Sequence, residues 1–304
     1  MLTPLAPLVL TSSAPKESMI ERVAIVGTGL LGTSVGLALR AAGFKGSIIG
    51  WNRSAEGAQI AFKSGAIDSI ASDPISAARE ADVTILSVPV YATLDLMAQV
   101  TMHIGGDHLV TDVGSTKLQI TKAGTQYFNQ VGCAAFLPGH PMAGKERGGA
   151  ELGDANLFRG AAWLFTDAPG AVRTQRGGEL VLSWREWVVA MGSKVIDLDA
   201  ARHDELVAWV SHLPQFVATA LSSVLAERVG DAPELKDVGG RALREMTRLG
   251  ASPFSMWRDI AHTNTDAIAA ALEALEQRLA HIRENLRTPE LRDEFEKANR
   301  FRRE

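Results

Sequence analysis

The spacing of apolar and polar positions changes several times along the chain, and each change marks an element boundary. Glu21 to Gly27, ERVAIVG, is a short β-branched run that ends in glycine, and LLGTSVGLALRAAG then places small and apolar residues at helical spacing. The alternation continues through SIIGWNRS, a helix-like EGAQIAFKSG, a short IDSI, a helix from PISAARE, ADVTILSVP and DHLVTDVG. ADVTILSVP has the apolar content of a parallel strand covered on both faces. A further strand ends at Pro138-Gly139, and AAWLFTDAPG reads as one more strand and its exit. Helical spacing then takes over in GGELVLSWREWVVAMG, with a short extended SKVIDLD behind it. A long helical segment, ARHDELVAWVSHLPQFVATALSSVLAERVG, bends at Pro214, and DAIAAALEALEQRLAHIRENL is helical again. The apolar stripes of these last helices suit burial against a second copy, so a homodimer is expected.

The pattern divides the chain into a flexible leader over residues 1–18, an α/β domain over 19–168, a helical domain over 169–290 and a charged C-terminal tail over 291–304. The opening segment lacks a basic start, and Pro4 and Pro7 interrupt the stretch that a signal peptide would need as a helix. No later window has the unbroken apolar length needed to cross a bilayer, which predicts a soluble protein. With 46% apolar residues in 304, the chain can build a substantial interior. Its 31 basic and 35 acidic side chains leave a net charge of -4, no field for gathering nucleic acid, so small-molecule chemistry is expected. Cys133 is the only cysteine, which rules out an internal disulfide and a thiol-rich metal site and suits a reducing cytoplasm.

Between the first strand and the first helix lies GTGLLG, formed by Gly27, Thr28, Gly29, Leu30, Leu31 and Gly32. In that setting Gly27 permits the tight turn, Gly29 lets the backbone approach a pyrophosphate, and Gly32 lets helix and strand pack closely. The start of the helix offers unpaired N–H groups to the phosphates. The predicted fold class is therefore α/β: a Rossmann-type dinucleotide-binding domain followed by an all-helical domain. At the end of the second strand, where an NAD site normally carries a carboxylate for the ribose, stand Asn52, Arg53 and Ser54. The missing carboxylate admits a 2′-phosphate, which Arg53 can pair with, so the expected cofactor is NAD or NADP. Val88, Pro89 and Val90 either touch the nicotinamide side or simply end their strand.

Two polar clusters follow strand ends. LVTDVGSTK carries Asp112, Ser115 and Lys117. Ser115 either donates to a substrate hydroxyl or nicotinamide amide, or helps start the next helix, with Asp112 bonding to backbone N–H groups. CAAFLPGHPMAGKERGG carries His140, then Lys145, Glu146 and Arg147 in a glycine-rich loop. An imidazole accepts a proton near neutral pH without prior activation, which makes His140 the candidate general base. A Ser–His–acid hydrolase is disfavoured because Ser115 has no GxSxG elbow, and such an enzyme would leave the nucleotide turn unexplained. No metal centre is expected: His203 and His212, nine residues apart, would point to opposite sides of an uninterrupted helix. In the helical half, His212 bonds either a substrate or a neighbouring helix, and Arg241, Arg244 and Arg248 share a face suited to carboxylates.

GTGLLGTS, DVGSTK, GHPMAGKERGG, HDELVAWVSHLPQFVATAL and TRLGASPFSMWRDIAHTN occur in an order that resembles the prephenate/arogenate dehydrogenase family of tyrosine biosynthesis, over roughly residues 20–290. The resemblance implies a helical dimerisation domain after the nucleotide domain, an active site between the two, and a carboxylated cyclohexadienol substrate. It implies oxidative decarboxylation of prephenate or arogenate with hydride transfer to NAD or NADP, giving 4-hydroxyphenylpyruvate or tyrosine and carbon dioxide. It assigns His140 to the ring hydroxyl, Ser115 to that hydroxyl and the nicotinamide, and Arg248 to the ring carboxylate. It also places His212 near the substrate, Glu146 as an acid that organises or gates the pocket, and Trp257 near the dimer-related site. Gln215 and Lys145 depart from the family pattern, and a Lys145 cation facing the substrate side chain would favour the keto acid prephenate over ammonium-bearing arogenate. The rival readings are a β-hydroxyacid-type dehydrogenase and a non-catalytic nucleotide-sensing protein.

Overall fold

The computed structural model describes residues 15, 18–128, 130, 132–166 and 173–303. The chain divides into two compact units, one holding residues up to Asp204 together with Ala251–Thr263, the other holding Glu205–Gly250 and the residues from Asn264 onward.

The first unit begins as a strict alternation: β1 (Arg22–Val26), α1 (Leu30–Ala41), β2 (Ser47–Trp51), α2 (Ala55–Lys63), β3 (Ser69–Ile70), α3 (Pro74–Arg79), β4 (Val83–Leu86), α4 (Val90–Val100), β5 (Leu109–Asp112), α5 (Leu118–Tyr127) and β6 (Ala135–Leu137). All six strands pair in parallel in the order β3-β2-β1-β4-β5-β6. The order reverses between β1 and β4, so a crevice opens beyond the carboxyl ends of those two strands, where such sheets bind ligands.

The near-continuous apolar strands are explained by cover on both faces. Successive residues feed different clusters: Val23 and Ile25 join one core with Leu109, Ala135 and Leu137, while Val26 joins another with Val110 and Phe136. Helix starts follow local chemistry. Ser54 caps α2 by accepting from Gly57 N–H at 3.3 Å, and Asp73 caps α3 from Ile75 and Ser76 N–H at 2.9 and 2.8 Å, with Pro74 in the first turn.

A second, three-stranded sheet belongs to the same unit. It contains β7 (Gly139–Pro141), β8 (Ala162–Phe165) and, beyond α6 (Gln175–Ala190), β9 (Lys194–Asp197). β7 runs antiparallel to β8 and β9 parallel to it. This corrects two sequence expectations. The α/β domain does not close at residue 168, because β9 pairs with β8 and α6 buries Leu180, Trp184 and Val188 in the core beneath the large sheet. His140 lies on strand β7, not in a loop, since the chain leaves the first sheet at Leu137 and enters the second at Gly139.

The predicted leader lies outside the described residues apart from Pro15 and Ser18, as does the strand exit over 167–170. Ser18 is fastened, accepting from Trp187 Nε1 at 2.9 Å.

α7 (Ala200–Val207) carries the chain across the boundary at Asp204. Pro214 does not merely bend the following helix: residues Ala208–His212 widen into a π-helical segment before α8 (Leu213–Val229). Proline has no N–H to donate and its ring would strike the carbonyl one turn back, which a wider turn relieves. α9 (Leu235–Val238) and α10 (Arg241–Thr247) follow, and a tight turn over Arg248–Ala251 precedes α11 (Phe254–Thr263). α12 (Thr265–Glu284) and α13 (Glu290–Arg303) complete the second unit. The charged segment expected as a tail over 291–304 is therefore helical up to Arg303, with Glu294 accepting from Arg278 on α12 at 2.6 Å. Among the described residues, no helix is long and apolar enough to cross a membrane.

Candidate active site

The turn from β1 to α1 has the shape a dinucleotide requires. Gly27 adopts φ +102°, and a side chain there would strike the Ser87 carbonyl, while one at Gly32 would strike the Gly27 carbonyl at 2.1 Å. Above Gly29, by contrast, a Cβ would meet nothing within 4 Å. The helix behind that open space has no capping side chain and no acidic residue in its first turn, so its N–H groups remain suited to an anion. Thr28 is fully buried, and its hydroxyl has no hydrogen-bond partner among the described residues. Leu30 is buried and Leu31 half-buried on the first turn of α1. These features fit a dinucleotide phosphate group.

At the end of β2, Asn52 is half-buried and Arg53 exposed, and the Ser54 hydroxyl oxygen caps α2 while its hydrogen can still donate. Val88 packs beside Gly27, and Pro89 stands at the start of α4. That helix is capped from a distance: Asp259 on α11 accepts from Tyr91 N–H at 3.2 Å and also holds Arg258. The same docking brings Thr263 within 2.7 Å of Thr116, which explains why a segment from the later part of the sequence belongs to the first unit. Trp257 sits half-buried on this helix.

The two polar clusters are tied together by a buried carboxylate. Asp112, at the end of β5, accepts from Gly114 N–H at 2.8 Å and from Gly139 N–H at 3.1 Å. One bond shapes the Ser115 loop, and the other fixes the residue before His140. Asp112 also takes the Lys117 ammonium, and both side chains are fully buried. Burial pushes the lysine below its ordinary range, with the Asp112 charge opposing the shift. Ser115 is half-buried between these anchors.

Ser115 is not the cap of α5, contrary to one expectation from sequence. Asp204 has that role, accepting from Lys117 N–H at 2.7 Å and Leu118 N–H at 2.9 Å. His203 Nδ1 lies 2.8 Å from the same carboxylate, and its Nε2 lies 2.9 Å from His140 Nδ1. His140 is 7% exposed, whereas His203 is fully buried. Sequence reasoning weighed His203 only as a metal ligand; the adjacent His-Asp pair was the available signal.

Glu146 is half-buried in the loop after β7. Lys145 in the same loop is committed to the protein: its ammonium donates to the Leu152 carbonyl at 2.9 Å and lies 3.6 Å from Asp154. Its charge is therefore matched by a neighbouring carboxylate, which removes the reason for expecting it to select a substrate side chain.

In the second unit, His212 is buried on the π-helical segment, where Asn264 Nδ2 donates to its Nδ1 at 3.3 Å. The three arginines do not act alike. Arg241 pairs with Glu245 at 2.6 Å and Arg244 reaches the Gly239 carbonyl, while Arg248 is exposed at the end of α10. Gln215, buried on α8, donates to the Leu249 carbonyl at 2.8 Å and so fixes the backbone beside Arg248.

Comparison with known proteins places this arrangement. Residues 35–176 match the family described as prephenate dehydrogenase, nucleotide-binding domain, and residues 199–300 match prephenate dehydrogenase, dimerization domain. The prephenate dehydrogenase of Lactococcus lactis is 32% identical over 264 residues, covering 86% of this chain and 70% of that protein. The crystal structure of Aquifex aeolicus prephenate dehydrogenase in complex with hydroxyphenyl propionate and NAD+ superposes with a TM-score of 0.81 at 29% identity, covering 95% of this chain and 99% of that one. Synechocystis arogenate dehydrogenase gives a TM-score of 0.71 at 27% identity, covering 92% and 98%. An α/β unit with a nucleotide turn, a helical unit, and matches spanning both halves lead to one conclusion: this chain belongs to the prephenate dehydrogenase family and is an oxidoreductase that uses a nucleotide cofactor.

Proposed function

We propose that this protein catalyses the oxidative decarboxylation of prephenate, with arogenate as the competing substrate and NAD or NADP as hydride acceptor. The observation that carries the reading is His140: an almost enclosed imidazole, anchored through Nδ1 and joined through Asp112 to the loop that bears Ser115. His140 takes the proton of the ring hydroxyl, and the Ser115 hydroxyl holds that same oxygen. Arg248 binds the ring carboxylate, His212 contacts the substrate and Glu146 organises the pocket, as the family resemblance assigns them. When bound, the oxidised nicotinamide supplies the hydride acceptor; the residues that would hold the dinucleotide are the Gly27–Gly32 turn, Asn52, Arg53, Ser54, Val88 and Pro89. Aromatisation drives the loss of carbon dioxide, so positioning and charge placement suffice for the protein's part.

The exposed exit of β2 carries no carboxylate to repel a 2′-phosphate, which keeps NADP beside NAD. The helical unit leaves Val224, Met246 and Leu279 exposed, which supports a homodimer through that unit. A matrix of initial rates for prephenate and arogenate with NAD and NADP tests the reading. Cofactor reduction dependent on one of the two acids is expected; cofactor binding with no turnover of either acid would leave a nucleotide-sensing protein instead.

A further inference from the structure

A dehydrogenase that abstracts a hydroxyl proton needs its imidazole in one tautomer, because only the ring nitrogen bearing the lone pair can accept. The donors and acceptors around His140 determine which nitrogen that is, and they can be counted from the buried end of the chain of contacts. Asp204 is 3% exposed and receives two backbone N–H groups, one on each oxygen, from Lys117 and Leu118. Both oxygens are thus already acceptors of amide hydrogens, so Oδ1 faces His203 as an acceptor as well. His203 Nδ1, 2.8 Å from its Oδ1, must therefore donate. Burial lowers the His203 pKa, with the Asp204 bond opposing and the Lys117 charge assisting, which keeps the ring neutral. In a neutral ring with its proton on Nδ1, Nε2 accepts. The partner of that Nε2, at 2.9 Å, is His140 Nδ1, which must then carry a proton.

We propose that His203 and Asp204 are positioning residues for His140: they fix its proton on Nδ1, place its lone pair on Nε2, and stabilise the positive charge the ring gains when Nε2 accepts the substrate proton. The inference rests on His140 being the base of the proposed reaction and adds how that base is set. No proton has to leave the chain of contacts. His140 Nδ1–H donates to His203 Nε2 before and after the transfer, and the imidazolium faces a neutral imidazole whose far side meets the Asp204 carboxylate. Asp112 and Lys117, whose charges also act on His203, form a buried pair with each other. Because Asp204 also caps α5, one carboxylate orients both the base and the end of the Ser115 loop.

The test is the ¹⁵N imidazole spectrum of the full-length protein saturated with NAD, recorded above the ordinary histidine pKa and combined with steady-state kinetics. The wild-type protein is expected to show His140 and His203 both protonated on Nδ1. In His203→Leu, which removes the acceptor, His140 should become a mixture of tautomers and kcat should fall roughly 10²-fold, with KM for acid and cofactor within about twofold. His203→Gln offers a carbonyl to His140 and an amide to Asp204, and should recover kcat to within about fivefold of wild type. A wild-type spectrum with the His140 proton on Nε2, or a folded His203→Leu with unchanged kcat, would overturn the proposal. The spectrum needs no turnover, so a protein inert towards prephenate and arogenate that still shows the Nδ1–H pattern would discard the assigned reaction and retain the positioning.

Discussion

The two units of this chain differ most in where they put their large apolar side chains. The sheet unit encloses Trp163, Trp184, Phe158 and Phe165 completely, in one continuous core with the strands. The helical unit encloses mainly small groups, such as Ala208, Ala218 and Ala271, and leaves Val224, Met246, Leu279, Leu286 and Phe295 exposed. Close-packed interiors hold side chains in single positions, whereas a loosely covered helical stripe gains its burial from another surface. The division matches the chemistry. The buried imidazole of His140 is built into the dense unit, and the exposed Arg248, proposed to bind the ring carboxylate, is carried by the unit proposed to associate with a second copy.

The largest expected effect lies in the dense unit. His140→Asn should lower kcat about 10²–10⁴-fold while thermal stability and cofactor affinity stay near wild type; turnover within about threefold of wild type would remove the base from this position. Next comes a matched pair of truncations. Trp184→Ala should cost about 3–5 kcal/mol, read from the urea midpoint, because it empties a site that cannot collapse. Leu279→Ala should cost under about 1 kcal/mol in dilute protein and more as concentration rises, because it weakens the association that stabilises the wild-type protein there. Equal losses at every concentration would erase the contrast between the units.

A smaller effect in the dense unit follows pH. His108 is 5% exposed and 2.8 Å from the Thr84 hydroxyl, and burial lowers its pKa from 6.5 to about 4. Between these values the unfolded chain binds a proton that the folded one refuses. The stabilisation is therefore complete above pH 6.5 and is lost as pH falls towards 4, by up to about 3 kcal/mol. His108→Gln should flatten that slope, leaving the part due to His203, which is held low in the same way. A slope identical to wild type would mean that His108 is not the group being titrated.

Local patterns were legible in the sequence where neighbours along the chain decide the structure. The glycine turn and the alternation of apolar strands with helices depend on residues a few positions apart. What could not be read depends on partners far along the chain. The extent of the first unit is set by β9 pairing with β8 across α6, the α5 cap comes from Asp204, and the α4 cap comes from Asp259. The candidate site in the first unit shows the same division: Ser115 and His140 stand out by residue type and setting, but the His140–His203–Asp204 chain joins segments 63 residues apart. Lys145 illustrates the opposite error, since a cation in a polar loop invites a ligand until its own carboxylate is seen.

The two smallest effects compare two cations: Arg248 at the end of α10, and Lys145, whose bonds brace the loop after β7. Arg248→Ala should raise KM for the acid about tenfold with little change in kcat, because a carboxylate contact made equally in ground and transition states is binding alone; an unchanged KM would take the ring carboxylate away from this residue. Lys145→Met should change the ratio of kcat/KM for prephenate and arogenate by less than about twofold. The side chain is partly exposed, its charge is answered by Asp154 at 3.6 Å, and its bond to the Leu152 carbonyl serves to brace the loop. A cation already paired in this way offers little net potential to a substrate side chain, whether that chain ends in a ketone or an ammonium. If the ratio instead moves tenfold towards arogenate, the ammonium must leave Asp154 when substrate binds, and the loop after β7 would join the parts of the dense unit that rearrange.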